Sequence, residues 1–160
     1  MERASYWPGS SEVVKMDFRS LEQERAKFAY EKVGEVRKED GDTQGRYVSY
    51  VKSAPVLILT NGLGQALAFY LSKLDRPIDV DYKTIDPKEF PEGDKMAYAY
   101  LYRHISEWLA RRVTEGQDPL KYYMEHDGMS AIRLTDETIA LLNWLKRFAD
   151  AMLKKEKEQR

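Results

Sequence analysis

The sequence comprises 160 residues, of which 42% are hydrophobic and 33% are charged, a balance typical of one globular domain with a sizeable core. Lys and Arg total 26 against 27 Asp and Glu, so the overall charge gives no reason to expect a nucleic-acid or membrane partner, and any basic surface must be local. The absence of cysteine excludes a disulfide framework, a thiol nucleophile, a cysteine zinc site and an iron–sulfur cluster.

No apolar stretch approaches the roughly 18 residues needed to span a bilayer, and residues 1–17 are too polar for a signal peptide. We therefore expect a cytoplasmic protein with no membrane partner. Residues 1–17 include Pro8-Gly9-Ser10-Ser11 and show no sustained periodicity, which predicts an N-terminal tail.

The first half of the chain predicts three helices. Ser20 followed by Gln23 is a capping-box pattern, and apolar residues then recur at helical spacing to about Glu39. Residues 40–45 are rich in Asp and Gly and predict a break. A second helix is expected from about Tyr47, kinked or divided by Pro55, and residues 63–74 are apolar nearly all round, which predicts a central, well-buried third helix.

The second half begins with an acidic segment. Residues 75–94 contain three prolines and seven acidic side chains, which predicts a long surface loop between the third and fourth helices. Asp94 is expected to cap a helix that Gly116 ends, and Asp118-Pro119 to start a short one. Thr135 is expected to open the last helix.

The predicted fold is therefore all-α: a single compact bundle of five to six helices at residues 18–155, followed by a charged C-terminal tail at 156–160. No internal repeat is found.

An apolar run followed by Gly62-Leu63-Gly64 imitates a dinucleotide-binding turn, with Asp79 and Asp81 about where a ribose-binding acid would fall. Leu67 replaces the third glycine, however, and the remaining chain predicts helices. We favour a corner between two helices, where glycine permits close packing. No cofactor is expected.

Catalytic and metal-binding patterns are also weak. His104 and Glu107 are three residues apart, and His126 lies between two acids, but neither arrangement is a recognised catalytic or metal-binding pattern. We expect structural or surface roles for both histidines, no metal site and no catalytic residue. The tyrosines at 98–123 are expected at the core edge and in protein contacts.

Three blocks of the sequence resemble the small subunit of type III-B CRISPR effector complexes, the small helical protein of the Cmr complex. The similarity covers roughly residues 20–155 and begins with Leu21-Glu22-Gln23 and Arg25, followed by Ala29-Tyr30. Its specific parts are Asn61-Gly62-Leu63-Gly64-Gln65, in the block from Tyr47 to Phe69, and Trp144-Leu145-Lys146-Arg147-Phe148-Ala149. Residues 75–130 carry no matching motif.

The resemblance implies a non-catalytic subunit that stacks with copies of itself and supports the paired guide and target RNA, with the backbone and large subunits as further partners. RNA contact would be to the duplex backbone, while base pairing supplies sequence specificity. As cations within the matching blocks, Arg25, Lys52, Lys146 and Arg147 are the predicted RNA-binding residues. The predicted subunit-contact residues lie on the less buried side of the third helix: Gln65, Phe69, Ser72 and Lys73.

The main alternative is a free-standing helical adaptor or DNA-binding protein. A DNA-recognition helix should carry clustered Arg, Asn or Gln near its start. The predicted start of the last helix, Thr135-Asp136-Glu137, does not. A small enzyme using His104 or a nucleotide is the third possibility.

Overall fold

A computed structural model describes residues 19–156, which form six α-helices and, within that range, no strand. The all-α prediction is therefore confirmed. The predicted tail at 1–17 lies outside the described residues, as do residues 157–160 of the predicted C-terminal tail. The helices are α1 (Leu21–Arg37), α2 (Gly41–Asn61), α3 (Leu63–Ser72), α4 (Asp94–Arg112), α5 (Pro119–Glu125) and α6 (Gly128–Met152).

The first helix begins as the sequence predicts. The Ser20 hydroxyl accepts a hydrogen bond from the Gln23 amide, and the Gln23 side chain accepts one from the Ser20 amide. The second helix does not: it begins at Gly41, six residues before the predicted Tyr47. The Asp40 carboxylate accepts hydrogen bonds from the amide and hydroxyl of Thr43, so this acid caps α2 and only residues 38–40 form the break.

Pro55 lies inside α2 without dividing it, since the helix runs without interruption to Asn61. Gly62, at φ 89°, then makes the corner into α3. A Cβ at Gly64 would lie 2.5 Å from the Tyr123 ring. The apolar run before these glycines is helical, so the interpretation as a closely packed corner is confirmed and the dinucleotide alternative lacks its strand.

The third helix is shorter and more exposed than predicted. It ends at Ser72, and only one side of it is buried, through Leu63, Ala66, Leu67 and Tyr70. The prediction of a central helix is wrong because the core centre belongs to α4, which is buried along most of its length, including Trp108.

The segment between α3 and α4 contains two short 3-10 turns, Tyr82–Thr84 and Pro87–Glu89. Tyr82, Ile85 and Phe90 are buried. The Arg103 guanidinium on α4 donates to the carbonyls of Tyr82, Lys83 and Ile85 at 3.2, 3.3 and 2.9 Å. The segment is thus held against α4, and its two 3-10 turns make no contact with α6 in the described part of the chain.

An aspartate caps each of the last two helices, α5 and α6. Asp118 caps α5 with Pro119 in its first turn, as predicted. Gly93 rather than Asp94 is the N-cap of α4. Asp127 caps α6, which therefore starts seven residues before Thr135. The true first turn, residues 128–131, also lacks Arg, Asn and Gln.

Two helices flank α6. Trp144 and Phe148 on α6 contact Glu22 and Tyr30 on α1, so α1 and α6 run parallel. Lys52 on α2 reaches Asp150 while Gln44 bonds the Lys154 amide, so α2 runs antiparallel to α6. This arrangement leaves one long face of α6 between α1 and α2 uncovered. Among the described residues, no helix combines the length and apolar character needed to cross a membrane.

Candidate nucleic-acid interface on the outer face of α6

The exposed face of α6 follows from its helical periodicity. Its buried residues recur every three or four positions and face the core: Leu134, Thr138, Leu141, Leu142, Leu145 and Ala149. Since residues on a helix are 100° apart, Asn143, Arg147 and Asp150 occupy the opposite side and are exposed. We call this side the outer face of α6; of the four predicted RNA-binding residues, one lies on it and a second lies on its flank.

Arg147 is exposed on the outer face, and Lys146 lies half-buried on the flank toward α2. Within residues 19–156, more than half of the Lys and Arg side chains form ion pairs with carboxylates, for example Lys32 with Glu107. Neither Lys146 nor Arg147 does so with any described carboxylate. Unpaired cations on a rigid helix are available to an external anion such as phosphate.

Lys52 lies at the edge of the same surface, but it has an internal partner. Its ammonium is 3.0 Å from Asp150, which Lys155 also approaches at 3.5 Å. Hydrogen bonding from Lys52, together with the charges of both lysines, lowers the pKa of Asp150. Both side chains are about half exposed, and exposed ion pairs contribute little to stability, so Lys52 can exchange Asp150 for an external phosphate.

Arg25 does not lie with the other three predicted residues. Its guanidinium donates to both oxygens of Glu137, at 2.8 and 3.0 Å, and to Glu22 at 2.9 Å. Glu137 also accepts the indole N–H of Trp108 at 2.8 Å. The hydrogen bond to Glu137 outweighs partial burial and raises the pKa of Arg25. With its side chain only 13% exposed, Arg25 joins α1 to α6 beneath the surface.

The four predicted subunit-contact residues share one exposed face of α3 and its C-cap. Lys73 places its ammonium 5.1 Å from the centre of the Phe69 ring, and the Ser72 hydroxyl donates to the Phe69 carbonyl at 2.6 Å. We call these residues, Gln65, Phe69, Ser72 and Lys73, the α3 patch. Phe69 is 38% exposed and meets Tyr98 edge-on.

Two exposed apolar residues on α2 were missed in the sequence. Val56 and Leu59 are 66% and 75% exposed, and they follow Lys52 by four and seven residues on the same side of the helix. The signal was present in that spacing. In the sequence, however, residues 56–59 form a continuous apolar run, and that run does not indicate which of its side chains are exposed.

His104, the other chemical candidate, is fully buried and hydrogen-bonded. The Tyr47 hydroxyl lies 2.8 Å from its Nδ1, and Glu35 Oε1 lies 3.2 Å from its Nε2. Burial lowers the pKa of His104 more than Glu35 raises it. The neutral ring therefore accepts from Tyr47 and donates to Glu35, which is a structural role, as predicted.

Comparison with known proteins assigns the chain to a family. A family model described as CRISPR-associated protein (Cas_Cmr5) matches residues 21–152. The chain belongs to the Cmr5 family. The resemblance noted from the sequence is thereby confirmed, and the match spans all six helices, so the outer face of α6 and the α3 patch both lie in the Cmr5 domain.

A curated relative and a solved structure, both from Thermus thermophilus, resemble this chain. The protein named CRISPR system Cmr subunit Cmr5 is 34% identical over 135 residues, which cover 84% of this chain and 97% of the relative. The X-ray crystal structure of a CRISPR-associated Cmr5 family protein superposes with a TM-score of 0.60 at 30% identity, covering 84% of this chain and 99% of that one. The described helices are thus those of a Cmr5 protein.

Proposed function

We propose that this Cmr5-family chain is the non-catalytic small subunit of a type III-B CRISPR ribonucleoprotein and acts in antiviral defence. In this role it stacks with copies of itself along the inner filament and supports the guide RNA–target RNA duplex through backbone contacts. Its further partners are the backbone and large subunits, and its location is the cytoplasm. Family membership supports the assembly, and the unpaired cations of α6 support the RNA contact.

Lys146 and Arg147 are the observation that carries the RNA contact. A chain with a net charge of −1 attracts RNA only through a local basic surface, and Lys146 and Arg147 have no internal carboxylate partner among the described residues. The two 3-10 turns of the acidic segment between α3 and α4 pack on α4, and no carboxylate of that described segment forms an ion pair with Lys146 or Arg147. Lys52 completes the proposed set at the α2 edge. Arg25, held by two carboxylates, contributes by fixing α1 to α6.

The α3 patch is the proposed contact with neighbouring protein subunits. It combines a partly exposed ring, a cation above that ring and two neutral polar side chains. Aromatic residues surrounded by polar groups are typical of protein interfaces. Because the patch is on α3 and the cations are on α6, one chain could contact RNA and a neighbouring copy at the same time.

The first experiment isolates a tagged copy of the chain from its native cells at low salt and identifies co-purifying proteins and small RNA. The proposal expects a multi-subunit complex carrying a repeat-derived guide RNA. Recovery of the chain alone, without RNA, would contradict the assembly.

The second experiment measures target-RNA binding by that complex over a series of salt concentrations. The double variant K146Q/R147Q should bind more weakly, and its plot of log affinity against log salt should flatten by up to about one unit per lost phosphate contact. A matched control is K83Q/K121Q, which removes two exposed cations elsewhere and should leave the slope unchanged. Equal slopes for K146Q/R147Q and the wild type would refute the assignment of this face.

A further inference from the structure

Three aromatic rings form a row along the seam between α1 and α6. Tyr30 meets Phe148 edge-on at a centroid distance of 5.7 Å, and Phe148 lies nearly parallel to Trp144 at 5.9 Å. Trp144 is held in place because its indole N–H donates to Glu22 at 2.9 Å. Tyr30, at the outer end of the row, is 56% exposed. A large ring left exposed on an otherwise ordered helix is available to a partner.

Gly34 follows Tyr30 by one helical turn, on the same stripe of α1. Glycine in the middle of a helix lowers its stability relative to alanine. A Cβ at this position would meet nothing within 4 Å, so the packing of this chain does not require a glycine here. The outer side of α1 therefore has no side chain at Gly34, so a partner could approach the helix backbone closely there.

Cations border the row on both helices. Arg37 follows Gly34 by three residues on α1, and Arg147 follows Trp144 by three residues on α6. Both are exposed, and neither forms an ion pair with a carboxylate among residues 19–156. Exposed rings next to unpaired cations are the combination that binds nucleic-acid strands, since rings stack on bases and cations contact phosphates.

We propose that this surface, formed by Tyr30, Gly34, Arg37, Trp144, Arg147 and Phe148, is a stacking site for an RNA strand. The Tyr30 ring lies against a base or ribose, Gly34 admits the sugar–phosphate backbone, and Arg37 and Arg147 contact phosphates. The inference rests on the proposed function for the presence of RNA. The proposed function assigns RNA contact to cations only. The stacking site adds contacts between RNA and aromatic rings, and it adds residues of α1.

The test places the photoreactive amino acid p-benzoylphenylalanine at position 30 in the tagged full-length chain, purified with the complex from its native cells and then irradiated. We expect a covalent adduct between this position and RNA. The matched control carries the same amino acid at Met129, which is 72% exposed and lies 19 residues from Phe148 on the same helix, about 28 Å away. The control should give no RNA adduct.

A second measurement compares Tyr30→Ala with Tyr30→Phe, which keeps the ring. The alanine variant should release target RNA about 5- to 100-fold faster, as expected for loss of one stacking contact, while the phenylalanine variant should stay within about twofold of the wild type. Because Tyr30 is largely exposed, both variants are expected to fold.

The possible failures give different results. An adduct to a protein subunit, an adduct to another copy of this chain, or no adduct in a complex that contains RNA would overturn the stacking site and leave the proposed function intact. A wild-type preparation without RNA or other subunits would overturn the proposed function and the stacking site with it.

Discussion

His104 shows how a single buried side chain connects three helices. Its ring on α4 lies between Tyr47 of α2 and Glu35 of α1. Lys32 lies 3.1 Å from Glu35 and 2.7 Å from Glu107. Partial burial would raise the pKa of Glu35, but the hydrogen bonds from His104 and Lys32 outweigh it and lower that pKa. The network therefore holds an ionised Glu35 beside a neutral His104.

The free energy of unfolding should consequently depend on pH in the range where histidine titrates. The unfolded chain binds a proton at His104 near pH 6.5, whereas burial lowers the pKa of the folded chain's His104. Stability is thus highest above pH 6.5 and falls as the pH drops toward the lower, folded pKa. The expected slope is at most about 1.4 kcal/mol per pH unit, measured by urea unfolding at a series of pH values.

The variants His104→Gln and His126→Gln separate this effect from general acid sensitivity. His104→Gln should be less stable at every pH and should lose the slope below pH 6.5. His126, stacked on Tyr122 at the protein surface, is the matched control, and its replacement should retain the slope. An unchanged slope in His104→Gln would show that other groups cause the pH dependence.

The sequence shows which charged side chains of α1 need an ion-pair partner, but it does not show which carboxylates those partners are. Arg25 and Lys32 lie within the apolar stripe of α1, and a charge there must be paired or must face a partner. The structure pairs both, Arg25 with Glu137 and Lys32 with Glu107. Glu137 is 112 residues from Arg25 along the chain, and local periodicity contains no information about such distant pairing.

At the scale of helices, both large errors in the predicted starts have the same cause. Asp40-Gly41 and Asp127-Gly128 are dipeptides typical of turns, yet each Asp caps a helix whose first residue is the glycine. Glycine is tolerated there because the first amides of a helix have no partner within the helix and the cap supplies one. The starts at Ser20 and Asp118 were predicted because apolar periodicity or proline follows each directly.

Two further glycines in the helices predict opposite effects of the same substitution. Gly34→Ala should raise the free energy of unfolding by about 0.5–1 kcal/mol, because the added methyl group meets open space. Gly64→Ala should lower it by about 1–3 kcal/mol, because the methyl group would lie 2.5 Å from the half-buried ring of Tyr123. Urea unfolding of both variants at one pH measures the difference.

Each variant is the control for the other, since helix propensity alone would make both stabilising. A stabilising Gly64→Ala would mean that the corner between α2 and α3 has room that the structure does not show. A destabilising Gly34→Ala would mean that the outer side of α1 is already covered in the isolated chain.

At the scale of the whole molecule, the fold class and family were predictable from sequence, whereas the composition of the surface was predictable only in part. Of the two predicted RNA-binding cations on α6, Arg147 is exposed and Lys146 is half-buried beside it; their contact with RNA stays a prediction. The exposure of Val56, Leu59 and Tyr30 was not predicted. Their exposure depends on which sides of α1 and α2 are left uncovered by neighbouring helices. The hydrophobic period of a single helix does not determine how the six helices pack together.

Two of the exposed apolar regions, the α3 patch and the Val56–Leu59 side of α2, lead to a final prediction about assembly. We expect Phe69→Glu to reduce the number of copies and partner subunits that co-purify with the tagged chain. A carboxylate in the α3 patch would replace the ring at the proposed protein contact and would be left desolvated there. Leu59→Glu is the matched control, because it adds the same charge at a more exposed apolar position.

Native mass spectrometry of the purified complexes gives the subunit counts, and circular dichroism of the isolated chains verifies that both variants remain helical. Loss of subunits with Leu59→Glu but not with Phe69→Glu would move the protein contact from α3 to α2, next to the cations proposed to bind RNA.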